Sequence, residues 1–218
     1  MRLKQTWSSL LLLFSILSVP AALTGCTKSS QVSESQAVPV AETPAASHEI
    51  LMNLGPKDAE FDLRFIDGMI LHHQGAIAMA EAVQQNSQRD QMQQLATAII
   101  IAQQDEIAQM QQWRRDWYPN AGSELVMYDA GMGHTMAMNP EMQAAMRMDG
   151  NLGEADSEFD LRFIEAMVPH HEGALVMAEQ ALQSSDRPEI RQIAQNILAT
   201  QQDEIAQMTQ WEKDWYGQ

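Results

Sequence analysis

Residues 60–118 recur at 158–216 with a constant offset of 98 and no gap. One copy opens EFDLRFIDGMILHHQGAIAMAE and the other EFDLRFIEAMVPHHEGALVMAE; later IAQQDEIAQMQQWRRDWY is matched by ATQQDEIAQMTQWEKDWY. A repeat of this length marks a supersecondary unit that cannot bury its apolar face alone. In the first copy Phe61, Phe65, Met69, His72, Ala76 and Val83 follow three- and four-residue steps, giving one helical face. The pattern breaks at Asn86–Ser87. It resumes with Met92, Leu95, Ile99, Gln103, Glu106, Met110, Trp113 and Trp117 on a second helix. Two such αα-hairpins with complementary faces predict an all-α fold, a four-helix bundle with quasi-two-fold symmetry.

The second copy breaks likewise at Ser184–Ser185, with Pro188 in the first turn of its next helix, where proline is tolerated. Pro169, immediately before His170 and His171, removes one helical hydrogen bond and predicts a bend. Leu71 stands at that place in the first copy, so the two halves are expected to differ in shape. The expected organisation is a leader over 1–25, a tether over 26–55, hairpins over 56–118 and 156–218, and a connecting segment over 119–155. In that segment Asn139 before Pro140 is a cap and first turn for a short helix reaching about Met148.

Arg2 and Lys4, the apolar run Leu10–Leu17 and the tetrapeptide Leu23–Thr24–Gly25–Cys26 have the form of a lipoprotein signal, with Cys26 as the lipidated residue. The alternative is an ordinary secretory signal. The reading implies an envelope, periplasmic protein held at a membrane by lipid. Cys26 is the only cysteine, so a lipidated chain has no disulfide and no thiolate ligand. Residues 27–55, rich in Ser, Ala, Pro and Gln, read as a flexible tether. The net charge of −16 argues against a nucleic-acid partner, which needs a basic stripe, and suits a protein that attracts cations.

At about 100° per residue, Met69, His72 and His73 share about a third of the helix circumference. Met69 lies one turn from either histidine, so two side chains can meet one ion. Met79, about 10 Å further along the axis, is a separate ligand or core filler. Gln103 and Glu106 interrupt the apolar stripe of the second helix, and buried polar groups need partners. A turn near residue 87 sets His72 level with Gln103 and Met69 with Glu106, with Met110 one turn beyond. Met167, His170 and His171 stand likewise opposite Gln201, Glu204 and Met208. The expectation is a polar cluster inside each hairpin, Glu106 and Glu204 either ligating or orienting a histidine. The competing account makes these histidines and methionines core residues.

Seven methionines fall in the 22 residues from Met127 to Met148. Met142 and Met146 fit a short amphipathic helix. Met132, His134, Met136 and Met138 lack helical spacing and are expected to close as a flexible loop around one ion. Thioether and imidazole without thiolate select a soft ion, above all Cu(I), while imidazole with carboxylate also suits Cu(II) or Zn(II).

The string F-x-x-x-M-[IV]-x-H-H-x-x-A-[ILV]-x-M-A followed by Q-x-x-E-I-x-x-M-x-x-W resembles the CopM-like proteins, a ferritin-superfamily group catalogued as a domain of unknown function. The resemblance covers nearly all of 58–216 and implies a four-helix bundle in an envelope protein that binds copper through Met and His and assists copper resistance. It carries metal candidacy onto Met69, His72, His73, Met79 and Met110, and onto Met167, His170, His171, Met177 and Met208. The first functional expectation is therefore copper sequestration or hand-over, to an efflux or delivery partner, without catalysis. The second is an enzyme with a di-metal carboxylate centre. That centre wants Glu-x-x-His on two helices, and Met69, Ile70, Met167 and Val168 occupy the required positions. The third is a structural or interaction lipoprotein.

Overall fold

The computed structural model describes residues 51–217; the expected leader, Cys26 and most of the expected tether lie outside them. Five helices and one two-stranded sheet are found among the described residues: α1 Phe61–Asn86, α2 Asp90–Trp117, β1 Val126–Asp129, β2 His134–Ala137, α3 Pro140–Arg147, α4 Phe159–Ser184 and α5 Pro188–Tyr216. The four long helices form the expected all-α bundle, and α4 runs unbroken through Pro169.

The helices divide into an inner and an outer pair. On α1, Phe61, Phe65, Met69, Ala76 and Val83 are buried, but so are Leu63, Ile66, Ile70, Leu71 and Ala80 on other faces. A helix buried on most sides is packed on most sides, and α1 contacts α2, α4, α3 and β1. α4, the equivalent helix of the second repeat, packs on α5 and α1 and leaves Glu165, Glu172, Val176 and Glu179 exposed. The outer helices bury single stripes, Met92, Leu95, Ala96, Ile99, Gln103 and Met110 on α2 and Ile190, Ile193, Ala194, Ile197, Gln201 and Met208 on α5.

Reciprocal clasps set the hairpins head to tail. Arg89, in the turn of the first, lies 4.3 Å from the Trp215 ring centroid and 3.1 Å from Asp160 at the open end of the second. Arg187 repeats this on Trp117 at 4.1 Å and Asp62 at 3.3 Å. Each tryptophan stacks on the one four residues before it, Trp113 or Trp211. α1 and α4 are thus antiparallel, and their midpoints cross near the paired histidines.

Two expectations are corrected. The tether does not extend to residue 55: Met52 and Leu54 are buried in the core, and the Gln180 side chain bonds the Met52 carbonyl and the Leu54 amide. Arg64, itself buried, donates to the carbonyls of Leu54 and Pro56 and to Thr135. Arg162 treats Leu152 and Glu154 in the same way. Asn53–Leu54–Gly55 is thus the counterpart of Asn151–Leu152–Gly153, each Asn side chain capping the Gly amide at a positive φ, and the repeat begins at least six residues earlier than its unbroken match.

Nor is 132–138 a loose loop. It is mostly the second strand of an antiparallel hairpin pairing Met127 with Met136 and Asp129 with His134. Alternate spacing of Met136 and Met138 is the period of a strand, which sends every second side chain to one face. Helix α3 follows, with the Asn139 side chain accepting from the Met142 amide and Pro140 in its first turn.

Candidate metal centre

Mid-helix on α1 and α4, His72, His73, His170 and His171 are fully buried together with Met69 and Met167. Within each hairpin one histidine meets the acid of the outer helix: His73 Nε2 lies 2.7 Å from Glu106 Oε2, and His171 Nε2 lies 2.7 Å from Glu204 Oε2. The expected level pairing, Met69 with Glu106, is therefore off by one turn. Side chains lean toward the N-terminus of their own helix. Along an antiparallel pair, His73 leans away from the turn and Glu106 toward it, so acid and imidazole meet though their Cα atoms are not level.

The other two histidines meet between the hairpins. The His72 and His170 rings approach to 3.8 Å between centroids, tilted by 45°. The polar cluster expected inside each hairpin thus consists of His73 with Glu106 and of His171 with Glu204, and the His72–His170 contact joins the two into one layer of imidazoles between the hairpins. On its outer side Gln103, Glu106, Gln201 and Glu204 line a single narrow cavity between α2 and α5. The head-to-tail arrangement also exchanges the methionines. Met69 and Met110 share an apolar cluster with Met177 of the other repeat, and Met167 and Met208 share one with Met79. The Met177 sulfur lies 3.6 Å from where a Cβ on Gly68 would stand, one residue from Met69.

The ring nitrogens show what this layer can do. His73, His170 and His171 each direct Nε2 at an oxygen, of Glu106, of the Arg147 main chain at 3.0 Å, and of Glu204 respectively. In each, Nδ1 is buried without a hydrogen-bond partner. Burial, reinforced by the neighbouring His171, pushes the His170 pKa down to about 3, so this ring is neutral and keeps a lone pair. An imidazole held from behind by an oxygen acceptor, with its other nitrogen bare, is how proteins present histidine to a metal. Among the described residues no three His, Cys, Asp or Glu side chains are grouped to hold an ion. Met69 and Met167, one helical turn before His73 and His171, are buried thioethers on the same helices as these imidazoles.

The connecting segment does not gather its four expected ligands at one point. Met132, at the hairpin tip, is 73% exposed and His134 is exposed; Met136 is half-buried against Met127, and Met138 is buried in the core. His134 Nδ1 lies 2.9 Å from the Thr135 carbonyl, which leaves Nε2 as the bare nitrogen of an exposed ring.

Residues 62–212 match a family described as Domain of unknown function (DUF305). The chain belongs to this family. Among solved structures, CopM in the Cu(II)-bound form is 34% identical, covering 71% of this chain and 97% of that one, with a TM-score of 0.57. CopM in the Cu(I)-bound form is 32% identical over the same shares, with a TM-score of 0.55. A DUF305 fragment from Deinococcus radiodurans is 25% identical, covering 71% and 95%, also at 0.55. No curated protein matches the chain. The chain is thus a CopM-like DUF305 protein with the bundle its repeats predict.

Sequence reasoning did not assign a place to three groups of the bridge and the helix it packs on. Met127 faces Met136 only through strand register. The Arg147 carbonyl is a main-chain atom and has no signature. Gly75 did carry a signal: glycine inside a helix is unfavourable, yet both repeats have it two residues after the second histidine, at Gly75 and Gly173.

Proposed function

We propose that this DUF305 protein is a lipid-anchored envelope copper-binding protein that sequesters Cu(I) or hands it on, and so contributes to copper resistance. The observation that carries the reading is the layer of buried imidazoles, three with a bare Nδ1 and an oxygen acceptor behind Nε2, set between two methionine-bearing clusters. Thioethers and neutral imidazoles favour Cu(I), and Cu(II) or Zn(II) is a second choice where carboxylate joins. Thioethers lose no proton on binding, so such sites keep working in acid. The comparison with CopM, solved with Cu(I), Cu(II) and silver, supports the same ion class. Exposed Met132 and His134 are suited to first capture, and the buried layer to retention. Glu106 and Glu204 act behind the histidines rather than as di-metal ligands, and the proposed role is binding rather than catalysis. No helix among the described residues is long and apolar enough to cross a membrane; the proposed attachment is a lipid on Cys26.

The test is an anaerobic Cu(I) titration against a strong chelator. Wild type is compared with His72→Ala/His73→Ala, with His170→Ala/His171→Ala and with Met132→Ala/His134→Ala. Each variant is expected to lose part of the uptake. Equal uptake by all four proteins, or none by wild type, would overturn the proposal.

A further inference from the structure

The short helix α3 ends with its last carbonyl inside the bundle. The final carbonyls of a helix lack intrahelical partners, and Met148 stops α3 in the left-handed region at φ 51°. The freed Arg147 oxygen accepts from His170 Nε2. It reaches that place only because residue 75 is glycine: a Cβ there would stand 1.7 Å from the Arg147 oxygen and 2.6 Å from its carbon. One residue earlier, Met146 is buried, its methyl 3.9 Å from the Cβ position of Gly68. The end of the methionine-rich bridge is therefore wedged between α1 and the histidine of α4.

A carbonyl oxygen only accepts, so Nε2 must carry the ring proton. An imidazole that binds a metal is neutral and has one proton to place. Nδ1 of His170 is then the lone-pair nitrogen, and it is the buried one without a partner. We infer that the Arg147 main-chain carbonyl, admitted by Gly75, sets His170 as an Nδ1 ligand, so that docking of the methionine-rich bridge and metal binding in the bundle are coupled. The inference rests on the copper reading above and adds its regulation. Glu106 and Glu204 hold their histidines from within the bundle. The oxygen behind His170 comes from a segment that also carries the exposed candidate ligands. Coupling runs both ways: metal on Nδ1 makes the Nε2 proton a stronger donor and tightens the bridge, and loosening the bridge weakens the site.

The experiment uses the metal-free protein with histidine labelled in 15N, titrated with Ag(I) as a redox-silent probe; His170→Gln assigns the ring. Long-range proton–nitrogen spectra are expected to show a protonated Nε2 on His170 before metal. The Nδ1 resonance alone should leave its free-imidazole position as Ag(I) is added. Amide exchange over 140–148 should slow on binding. Gly75→Ala is expected to weaken Ag(I) binding by about 10–100-fold, the cost of losing a partner behind a ligand, while Gly150→Ala, in open space, leaves it unchanged. Should Gly75→Ala not fold, the wild-type spectra decide alone. Silver on Nε2 with loss of its proton would overturn the inference, and so would binding at other histidines that leaves His170 unmoved; either leaves the copper reading standing. Absence of any silver-induced shift would overturn both.

Discussion

Alanine at Met138 and at Met132 separates packing from ligation on one short stretch of chain. Met138 is 4% exposed and belongs to the main apolar cluster, whereas Met132, at the hairpin tip, is 73% exposed. Truncating a buried methionine removes its transfer free energy and leaves a cavity, together about 2–5 kcal/mol. Met138→Ala is therefore expected near 3 kcal/mol. For a domain of this size one kcal/mol moves the midpoint by roughly 2–4 °C, so the melt should fall by about 6–12 °C. Exposed substitutions stay within about 0.5 kcal/mol, which puts Met132→Ala within about 2 °C of wild type. Metal uptake should run the other way: Met132→Ala loses Ag(I) capacity at the hairpin, and Met138→Ala, assayed well below its midpoint, keeps it. Met136→Ala, half-buried against Met127, should show part of both effects. Calorimetry and equilibrium dialysis on the same preparations read the two quantities. Equal destabilisation by Met132→Ala and Met138→Ala, or loss of capacity only in Met138→Ala, would refute the assignment of one to the surface and the other to the core.

Glu106→Gln and Glu204→Gln should each weaken Ag(I) binding about tenfold, the low end for a partner behind a ligand because the amide oxygen still accepts; unchanged affinity in dialysis would count against the orienting role. In the metal-free protein His170 should also impose an acid limit. Its folded pKa, about 3, lies below the ordinary value of 6.5, so its contribution to stability is whole above pH 6.5. It is lost at about 1.4 kcal/mol per pH unit as pH falls toward 3. His170→Gln, which still donates to Arg147, should lack this slope, and parallel denaturant-derived stabilities for the two proteins across that window would rule it out. For the clasps, a double-mutant cycle on Arg187→Ala and Trp117→Ala should return a coupling of about 0.5–1 kcal/mol, whereas strictly additive melts would show that the stacked contact contributes nothing.

The bundle and its inner histidines were legible because duplication and helical periodicity are local properties of the chain. A 3.6-residue period states which face is buried, and a break at Ser87 or Ser185 states where each hairpin turns. What pairs with what across the hairpins is not local. His72 meets His170, and Met177 joins Met69, because Arg89 and Arg187 reach the opposite ends of the other hairpin; nothing in either repeat alone specifies that direction. The carboxylates were found by counting from the turn, and the count missed by a turn because it placed Cα atoms rather than side-chain tips. Two further signals are local. Met136 and Met138 at every second position, with Val126–Met127–Tyr128 before them and Gly131 and Gly133 between, is the pattern of a hairpin, and the same alternation also fits a chelating loop. Asn-Leu-Gly at 53–55 and 151–153 repeats with the same offset as the helices, but Pro56–Lys57 against Glu154–Ala155 broke the unbroken match that delimited the repeat. The bridge, by contrast, lies between the two copies and shares neither their sequence nor their period. Its carbonyl at Arg147 reaches His170, so a segment outside the duplicated helices meets the histidine layer at a point that no comparison of the two copies would reveal.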